Sequence, residues 1–362
     1  WLDPRSPFGM HHMAGANVFM TRLIKDFGGQ IGVTATEAQL DSTIDRSTRM
    51  LQQQTLDITL TEEGRSTDTL FVSMLLQNKA GHKFPSGYPA RRAFIELIAV
   101  GEPGDTLFHS GKTDANYNLL TENDDYENHY TMINQDEQVQ IYEMVMGNVE
   151  GNVTTVLERA AVHLKDNRIP PEGFTTSHGS YDTTQIVGNA FADPNFNKEN
   201  GTEGTGSDRI FFHIPTAGFE AEIHITAKVY YQTVNDKWLE HMFSYSSDQI
   251  DTFKSYYDNA DKTPVLVGAA DITSLSVNLD ALNTEKMTVF PNPATDKVYI
   301  HFGTGGNKTI SVFTPDGKLL EQHTVEAGNK SLQLKTSGWQ GILFLKTEFA
   351  DNTATVSKLL VR

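Results

Sequence analysis

The stretch GHKFPSGYPARRAF, residues 81–94, concentrates side chains that could do chemistry. It sets His82, Tyr88, Arg91 and Arg92 ahead of an apolar run that is typical of a strand. Its prolines fix φ and its glycines allow backbone geometries closed to other residues, so the pattern predicts a rigid structural corner. A catalytic loop is the alternative, but Ser86 is its only serine and no Gly-x-Ser-x-Gly elbow surrounds that serine.

The two adjacent arginines should face opposite sides, because alternate residues of a strand do so. We therefore predict that Arg91 or Arg92 forms a buried ion pair, with Glu143 or Asp166 as the carboxylate. The later stretch LKDNRIPPEGF, residues 164–174, has a similar mix of turn residues and charges, and Arg168 suits an ion pair. It predicts a loop that packs on the corner, with a ligand-binding ridge as the alternative.

Two acidic stretches could bind metal or simply face solvent. The segment ADPNFNKENG resembles the start of a calcium loop, since its oxygen-bearing side chains alternate before a glycine. No bidentate glutamate follows at the expected distance, so a plain acidic insertion loop is the alternative. The calcium candidates are Asp193, Asn195, Asn197 and Glu199. The stretch TENDDYENH, residues 121–129, is predicted to be solvated.

Composition excludes several classes of site. The 362 residues include no cysteine, which removes disulfides, thiolate metal sites and covalent haem attachment through C-x-x-C-H. The formal net charge of −17 opposes binding to nucleic acid. No run of apolar residues reaches the roughly 18 that suggest a transmembrane segment. Because the first residue is Trp1 and not methionine, we expect the sequence to be part of a longer protein.

The periodicity predicts a mainly β protein in four segments. Residues 1–53 are expected to be helical, with one helix ending at Gly28-Gly29 and another beginning at a capping box of Thr34 and Glu37. Residues 54–275 predict a large antiparallel β-sandwich with insertions and a short helix in SSDQIDTFKSYYDNA. Residues 276–286 are the expected linker, and residues 287–362 predict a small immunoglobulin-like β-sandwich.

The C-terminal segment carries an ordered set of motifs. A Pro-Asn-Pro precedes its first strand, a Gly-Lys turn follows a central strand, and Lys-Leu-Leu-Val lies at the end. This order resembles the type A C-terminal sorting domain of the type IX secretion system, although Phe344 stands where tyrosine is usual. The resemblance implies export to the cell surface or the medium in a Bacteroidota-type cell, with the secretion machinery as partner. Its motif residues are Pro291, Asn292, Pro293, Gly317, Lys318, Gly341 and Lys358.

The central segment resembles the non-haem C-terminal part of a family of secreted multihaem c-type cytochromes. The matching motifs are the corner, the Ile-Tyr-Glu of residues 141–143 and the segment 165–174. In that family the haem-bearing part lies on the N-terminal side. The resemblance implies that a haem would belong to an upstream region or a partner chain, and that His11 or His12 could be its axial ligand. A polar helix start is the alternative for these two histidines.

Two functions follow from these resemblances. The first is a secreted, non-catalytic module associated with extracellular electron transfer. The second is an extracellular binding or adhesion β-sandwich, perhaps for glycans, with the same export signal. A hydrolase is a third class, disfavoured because no assembled catalytic set is visible in the sequence.

Overall fold

A computed structural model describes residues 14–275, 287–302, 306–315, 317–349 and 354–362. The chain divides into two compact units, Trp1–Val277 and Asn278–Arg362. The predicted linker, residues 276–286, lies outside the described residues, as do His11 and His12. The mainly β fold class is confirmed.

Two helices open the described part of the first unit: α1, Val18–Ile31, and α2, Glu37–Gln54. Helix α1 continues past the predicted stop at Gly28-Gly29 to Ile31. Gly32 caps its C-terminal end, with a φ of 74° that favours glycine. Helix α2 has a capping box, but its members are Thr36 and Gln39. The sequence TATEAQ holds two overlapping box patterns, and the helix uses the second one.

Two facing sheets form the body of this unit. The first has the order β1-β2-β11-β5, and the second has the order β13-β12-β3-β4, with β6 also paired to β3. These pairings are antiparallel except for β11 with β5. The strands of these two sheets are β1 Leu56–Arg65, β2 Thr69–Asn78, β3 Arg92–Gly101, β4 Asp105–Ser110, β5 Met132–Ile133, β6 Ile141–Tyr142, β11 Ser207–Pro215, β12 Ile223–Gln232 and β13 Val265–Ser274. Four other strands form separate pairs: β7 Met144–Gly147 with β8 Val162–Asp166, and β9 Lys198–Glu199 with β10 Thr202–Glu203.

One apolar core joins the two sheets. Alternate residues of β2 and β11, such as Val72 and Phe212, share it with alternate residues of β3 and β12, such as Ile95 and Ile225. The period of two in these strands therefore builds the sandwich, as in other sheets packed face to face.

Three further helices lie in the insertions: α3 Asn189–Ala192, α4 Asp236–Phe243 and α5 Asp248–Asn259. Helix α5 was predicted. Helix α4 has no counterpart among the predicted elements, although Asn235 is a standard N-cap whose side chain accepts from the amide of Trp238. Strands β7 and β8 form a separate hairpin in the long insertion between β6 and β11.

The second unit is a small sandwich of two antiparallel sheets around one core. Their orders are β14-β15-β18 and β17-β16-β19-β20. The strands are β14 Thr288–Phe290, β15 Lys297–His301, β16 Lys308–Phe313, β17 Leu319–Val325, β18 Ser331–Lys335, β19 Gly341–Phe349 and β20 Ala354–Val361. No helix among the described residues is long and apolar enough to cross a membrane.

Candidate functional site

The corner, residues 81–92, joins β2 to β3 and is hydrogen-bonded to the loop predicted to pack on it. The backbone groups of Phe84 and Ile169 exchange two hydrogen bonds of 2.8 Å. The Asn78 side-chain amide donates to the carbonyls of His82 and Ile169, at 2.8 and 2.9 Å. The predicted contact between the two loops is therefore confirmed.

Arg92 is the buried arginine of the pair. It lies opposite Gln232 in the register of β3 with β12, and its Nε donates to the Gln232 Oε1 at 2.8 Å. Its Nη1 lies 2.6 Å from Glu122, which Lys237 also contacts at 3.0 Å. Burial opposes ionisation of Glu122, but the charges of Arg92 and Lys237 hold its pKa below the ordinary value.

The predicted carboxylate partners of this arginine are wrong. Glu143 pairs with Lys165 at 2.9 Å, while Asp166 pairs with Lys83 at 2.9 Å and with Arg168 at 2.7 Å. Arg92 is instead paired with Glu122, which lies in the segment between β4 and β5, so it does not contact these acids. The stretch 121–129 is also not simply solvated, since Glu122 is in the buried pair and Glu127 is buried.

Lys83 is a structural cation of the corner. Its Nζ donates to Asp166 and, at 2.9 Å, to the carbonyl of Gln185, and it lies 5.6 Å from the centre of the Phe174 ring. Burial lowers the pKa of Lys83, and the charge of Asp166 acts in the opposite direction. With two hydrogen bonds and a ring contact, Lys83 fastens the corner and offers no reactive amine to solvent.

The other half of the corner is open. His82 is exposed, Tyr88 is 49% exposed, and Arg91 is half-buried with its Nη1 donating to the carbonyl of Ser86 at 3.0 Å. Tyr88 meets Trp238 of α4 edge to face, with ring centres 5.7 Å apart. The corner is therefore rigid on one side and presents Tyr88 and Arg91 on the other.

These two side chains line a groove of about 680 Å³, which we call the aromatic groove. Helix α4 supplies Trp238, Asn17 of the α1 N-cap lies at one side, and Arg159 lies after the β7 strand. Its volume falls in the range of small-molecule sites. Its remaining aromatic and apolar lining includes Met20, Val156, Leu239, Met242, Tyr245 and Phe253.

A second polar cluster, which we call the buried network, lies inside the unit around His129. The Nδ1 of His129 faces the side-chain nitrogens of Gln140 at 2.7 Å and Asn167 at 3.2 Å. Both amides are oriented by backbone donors, because the Gln140 Oε1 accepts from the amide of Tyr130 and the Asn167 Oδ1 accepts from that of Glu143. Two donors therefore face Nδ1, which must be the unprotonated acceptor of a neutral imidazole.

The proton of His129 consequently sits on Nε2 and is donated to Asp193 at 3.0 Å. Thr131 also donates to Asp193, and Tyr142 donates to Asp208 at 2.7 Å. The ligand atoms of His129, Asp193 and Asp208 lie within 4.8 Å of one another, a spacing that could hold a metal. Because Nε2 carries a proton, the imidazole lacks the lone pair that a metal ligand needs there, so this donor set fits a hydrogen-bond network better than a metal centre.

The pKa values of the two buried carboxylates are shifted in opposite directions. Burial raises the pKa of Asp208 to about 6, and its Oδ1 has no hydrogen-bond partner. Burial also acts on Asp193, but hydrogen bonds from His129, the Asn195 backbone and Thr131 keep its pKa below the ordinary value. The sequence gives one signal for this network: Asp208 lies in phase with the buried Ile210 and therefore points inward.

Two of the four predicted calcium residues, Asp193 and Asn197, have side chains engaged in protein contacts. Asp193 belongs to the buried network, and its Oδ1 accepts from the amide of Asn195 at 2.7 Å. Asn197 is buried, and its Oδ1 accepts from the amide of Gly206 at 3.0 Å. Glu199 is exposed in β9. Calcium binding by this segment stays a prediction.

In the second unit, Asn292 joins the beginning of the motif set to its end. Its side chain donates to the carbonyl of Lys358 at 2.7 Å and accepts from the amide of Leu360 at 2.9 Å. Ala294 adds backbone bonds to Leu360 and Arg362, at 2.7 and 2.9 Å. The edge of β20 at these residues is thus already hydrogen-bonded, so strand addition by a partner there would have to displace Asn292.

The glycines of the same motif set have a backbone reason. Gly317 and Gly341 both have φ of 84°, in the region that favours glycine. Gly317 closes the turn between β16 and β17, where its amide donates to Thr314 at 2.9 Å, and Lys318 follows it. Gly341 begins β19. Pro291 and Pro293 flank Asn292 before β15.

Similarity to solved structures is low. A penta-heme cytochrome c552 from Thermochromatium tepidum is 14% identical over 63% of this chain and 41% of its own, with a TM-score of 0.37. A biofilm-associated protein, its BSP domain, is 6% identical over 88% of this chain and 55% of its own, with a TM-score of 0.23. The chain thus spans about two fifths and about half of these proteins, and neither likeness establishes a shared fold. No curated protein matches the chain.

The second unit does match a known family. Residues 288–362 fit the model of the secretion system C-terminal sorting domain, which supports a type IX sorting signal. Such a domain implies contact with the type IX secretion machinery. The protein is accordingly an exported one, secreted or held at the cell surface.

Proposed function

We propose that the chain is a non-catalytic module associated with extracellular electron transfer, the haem-free C-terminal part of a multihaem cytochrome-like protein in a Bacteroidota-type cell. One observation carries the proposal. The three segments that resemble the cytochrome family, far apart in sequence, lie against one another through Phe84 with Ile169, Lys83 with Asp166 and Lys165 with Glu143.

The charges of these segments support a structural role. Lys83, Asp166 and Lys165 are almost completely buried, and each has a partner of opposite charge. Buried ion pairs with matched hydrogen bonds fix one arrangement of neighbouring loops, since removing either partner leaves an uncompensated charge. The charged residues of the corner and of residues 164–174 therefore hold these loops together.

The buried network supports the absence of catalysis by this unit. A general base must present a free lone pair within reach of the proton that it removes. The lone pair of His129 is taken by Gln140 and Asn167, and its other nitrogen donates to Asp193. All four side chains are inside the protein, so this histidine has no access to a substrate, and its one lone pair is already engaged by protein donors.

A haem associated with this module would be carried by an upstream region or a partner chain, because this chain has no thiol. Asn17, the N-cap of α1, lines the aromatic groove. The segment that precedes α1 holds His11 and His12, the candidate axial ligands. The groove thus includes the residue at which α1 begins.

The test is a haem assay on the native exported protein. Protein isolated from the secreting cell should show c-type haem absorbance in a reduced-minus-oxidised spectrum, while the 362-residue chain alone should show none. Mass spectrometry should assign the haem to a C-x-x-C-H region upstream of Trp1 or to a co-isolated chain. Native protein with neither haem nor such a region would contradict the proposal.

The groove favours a second candidate, an extracellular binding or adhesion protein for glycans. Aromatic side chains at an accessible surface can stack on sugar rings, and Tyr88, Trp238 and Tyr245 all line this groove. Calorimetric titration with neutral and acidic oligosaccharides tests this candidate. Loss of a measured affinity in Trp238→Ala would place the sugar in the groove.

A further inference from the structure

We propose that the aromatic groove binds an apolar ligand that bears a carboxylate, and that Arg91 and Arg159 hold the carboxylate. The haem assay does not test this proposal, which concerns the ligand class of a cavity within this chain. The glycan titration does test it, because a neutral sugar in the groove would contradict it.

Acidic residues number 46 against 29 lysines and arginines. In the first unit most of the described lysines and arginines form an ion pair. Arg92 and Arg168 do so. Arg91 and Arg159 line one cavity, and in the described part of the chain neither forms an ion pair. The lining of this cavity contains these two arginines and no aspartate or glutamate, so it favours an anion.

The kind of anion follows from the shape of guanidinium. Its planar fork of donors matches a carboxylate or phosphate through two parallel hydrogen bonds. Arg91 keeps one contact, to the carbonyl of Ser86, and this contact positions the group without neutralising it. Arg159 is the last residue of the short 3₁₀ turn Leu157–Arg159 and is exposed.

The apolar lining of the groove indicates the chemistry of the rest of the ligand. Met20, Val156, Leu239, Met242, Ile250 and Phe253 give the groove a mostly apolar lining. A phosphate ion alone would leave these apolar walls in water. An apolar body with a carboxylate at one end satisfies both the walls and the arginines.

Two sources share this chemistry: the acyl chain of a fatty acid, and a tetrapyrrole with its propionates. The experiment titrates the 362-residue protein with dodecanoate and, separately, with metal-free protoporphyrin IX, which cannot gain affinity through iron ligation. Calorimetry gives the affinity, and Trp238, in the groove wall, gives a fluorescence signal. Dodecanol is the matched ligand without a carboxylate.

We expect at least one of the two acids to bind, with affinity that falls as salt rises. Arg91→Gln and Arg159→Gln should each weaken binding about tenfold or more, as expected for loss of a charge-assisted hydrogen bond. Arg49→Gln is the control, because it removes the same charge from an exposed position of α2. Binding of dodecanoate alone identifies a lipid acid, and binding of the porphyrin identifies a tetrapyrrole.

Five results would overturn the proposal. The first four are binding of neither acid, equal affinity for dodecanol and dodecanoate, unchanged affinity in both arginine variants, and tight binding of a neutral oligosaccharide in the same groove. A Trp238 signal that changes with protein concentration and not with ligand would overturn it too, since a second copy of the chain would then fill the groove.

Discussion

Two faces of the same corner treat their charges in opposite ways. On the inner face Lys83 and Arg92 are buried, and each lies within 3.0 Å of a carboxylate. On the outer face Arg91 lines the aromatic groove and forms no ion pair with the described residues. Arg91 and Arg92 are neighbours in sequence, but β3 begins at Arg92, so Arg92 is held in the sheet opposite Gln232 while Arg91 belongs to the turn before the strand. A rigid motif can therefore supply stability with one residue and a binding surface with the next.

The largest expected effect breaks the inner face. Arg92→Ala leaves Glu122 buried with only Lys237 and should destabilise the first unit by about 3–5 kcal/mol. Urea unfolding followed by Trp238 fluorescence measures it. Arg91→Ala, one residue away, is the control. Equal losses of stability in the two variants would show that the faces do not differ.

The next effect is the pH dependence of the buried network. The pKa of Asp208 is raised from its ordinary value to about 6, so the folded state binds its proton more tightly than the unfolded state. This contribution is fully present below about pH 4 and is lost as the pH rises through 6, by roughly 3 kcal/mol at most. Asp208→Asn should therefore gain stability relative to the wild type between pH 4 and 7.

Asp193→Asn is the matched control for that series. The pKa of Asp193 is lowered, so its contribution is present at neutral pH and is lost as the pH falls. The two variants should diverge from the wild type in opposite directions along the pH axis. Parallel curves in urea unfolding at pH 4, 5.5 and 7 would contradict the assignment of the two carboxylates.

A smaller effect belongs to the second unit. Asn292→Ala removes two hydrogen bonds to β20 and should destabilise that unit by about 1–2 kcal/mol. Differential scanning calorimetry of the whole chain should show this as a shift of one transition. Asn329→Ala changes an exposed position of the second unit whose side chain makes no described hydrogen bond, so it should leave the thermogram unchanged. An unchanged thermogram for Asn292→Ala would remove the proposed role of this side chain.

The smallest expected effect on stability distinguishes Arg91 from Arg92 most directly. Arg91→Gln should change the free energy of unfolding by no more than about 0.5 kcal/mol, because the residue has no ion pair to lose. The same variant should lose affinity for the carboxylate ligand. A large loss of stability in urea would mean that Arg91, like Arg92, is a structural residue.

The sequence predicts what depends on period and turn chemistry. Strands β1 to β4, β11 and β12 follow from alternation, whereas β13 was not predicted as a strand. The contact between the corner and residues 164–174 follows from their shared turn residues. The sorting motif follows from an ordered set of short patterns, and Asn292 and Gly317 have contacts or dihedral angles that explain it.

Partner choice across long distances was not predictable in the same way. Arg92 and Glu122 are 30 residues apart, and the buried network draws His129, Gln140 and Asn167 from irregular segments without a period. A strand pattern says that Arg92 faces inward or outward but not which loop covers it. Asp208 could have been recognised from the sequence, because the alternation of β11 places its charge among core residues.

The Asn292 contacts also set an order of events during synthesis. Asn292 and its partners Lys358 and Leu360 are 66 and 68 residues apart, so the ribosome makes the asparagine long before either backbone group exists. A nascent or truncated chain that stops before Lys358 carries the Pro-Asn-Pro segment but cannot close it onto β20. The closed form of the sorting domain thus reports that translation has passed this point, and an export machinery that requires the closed form would reject unfinished chains.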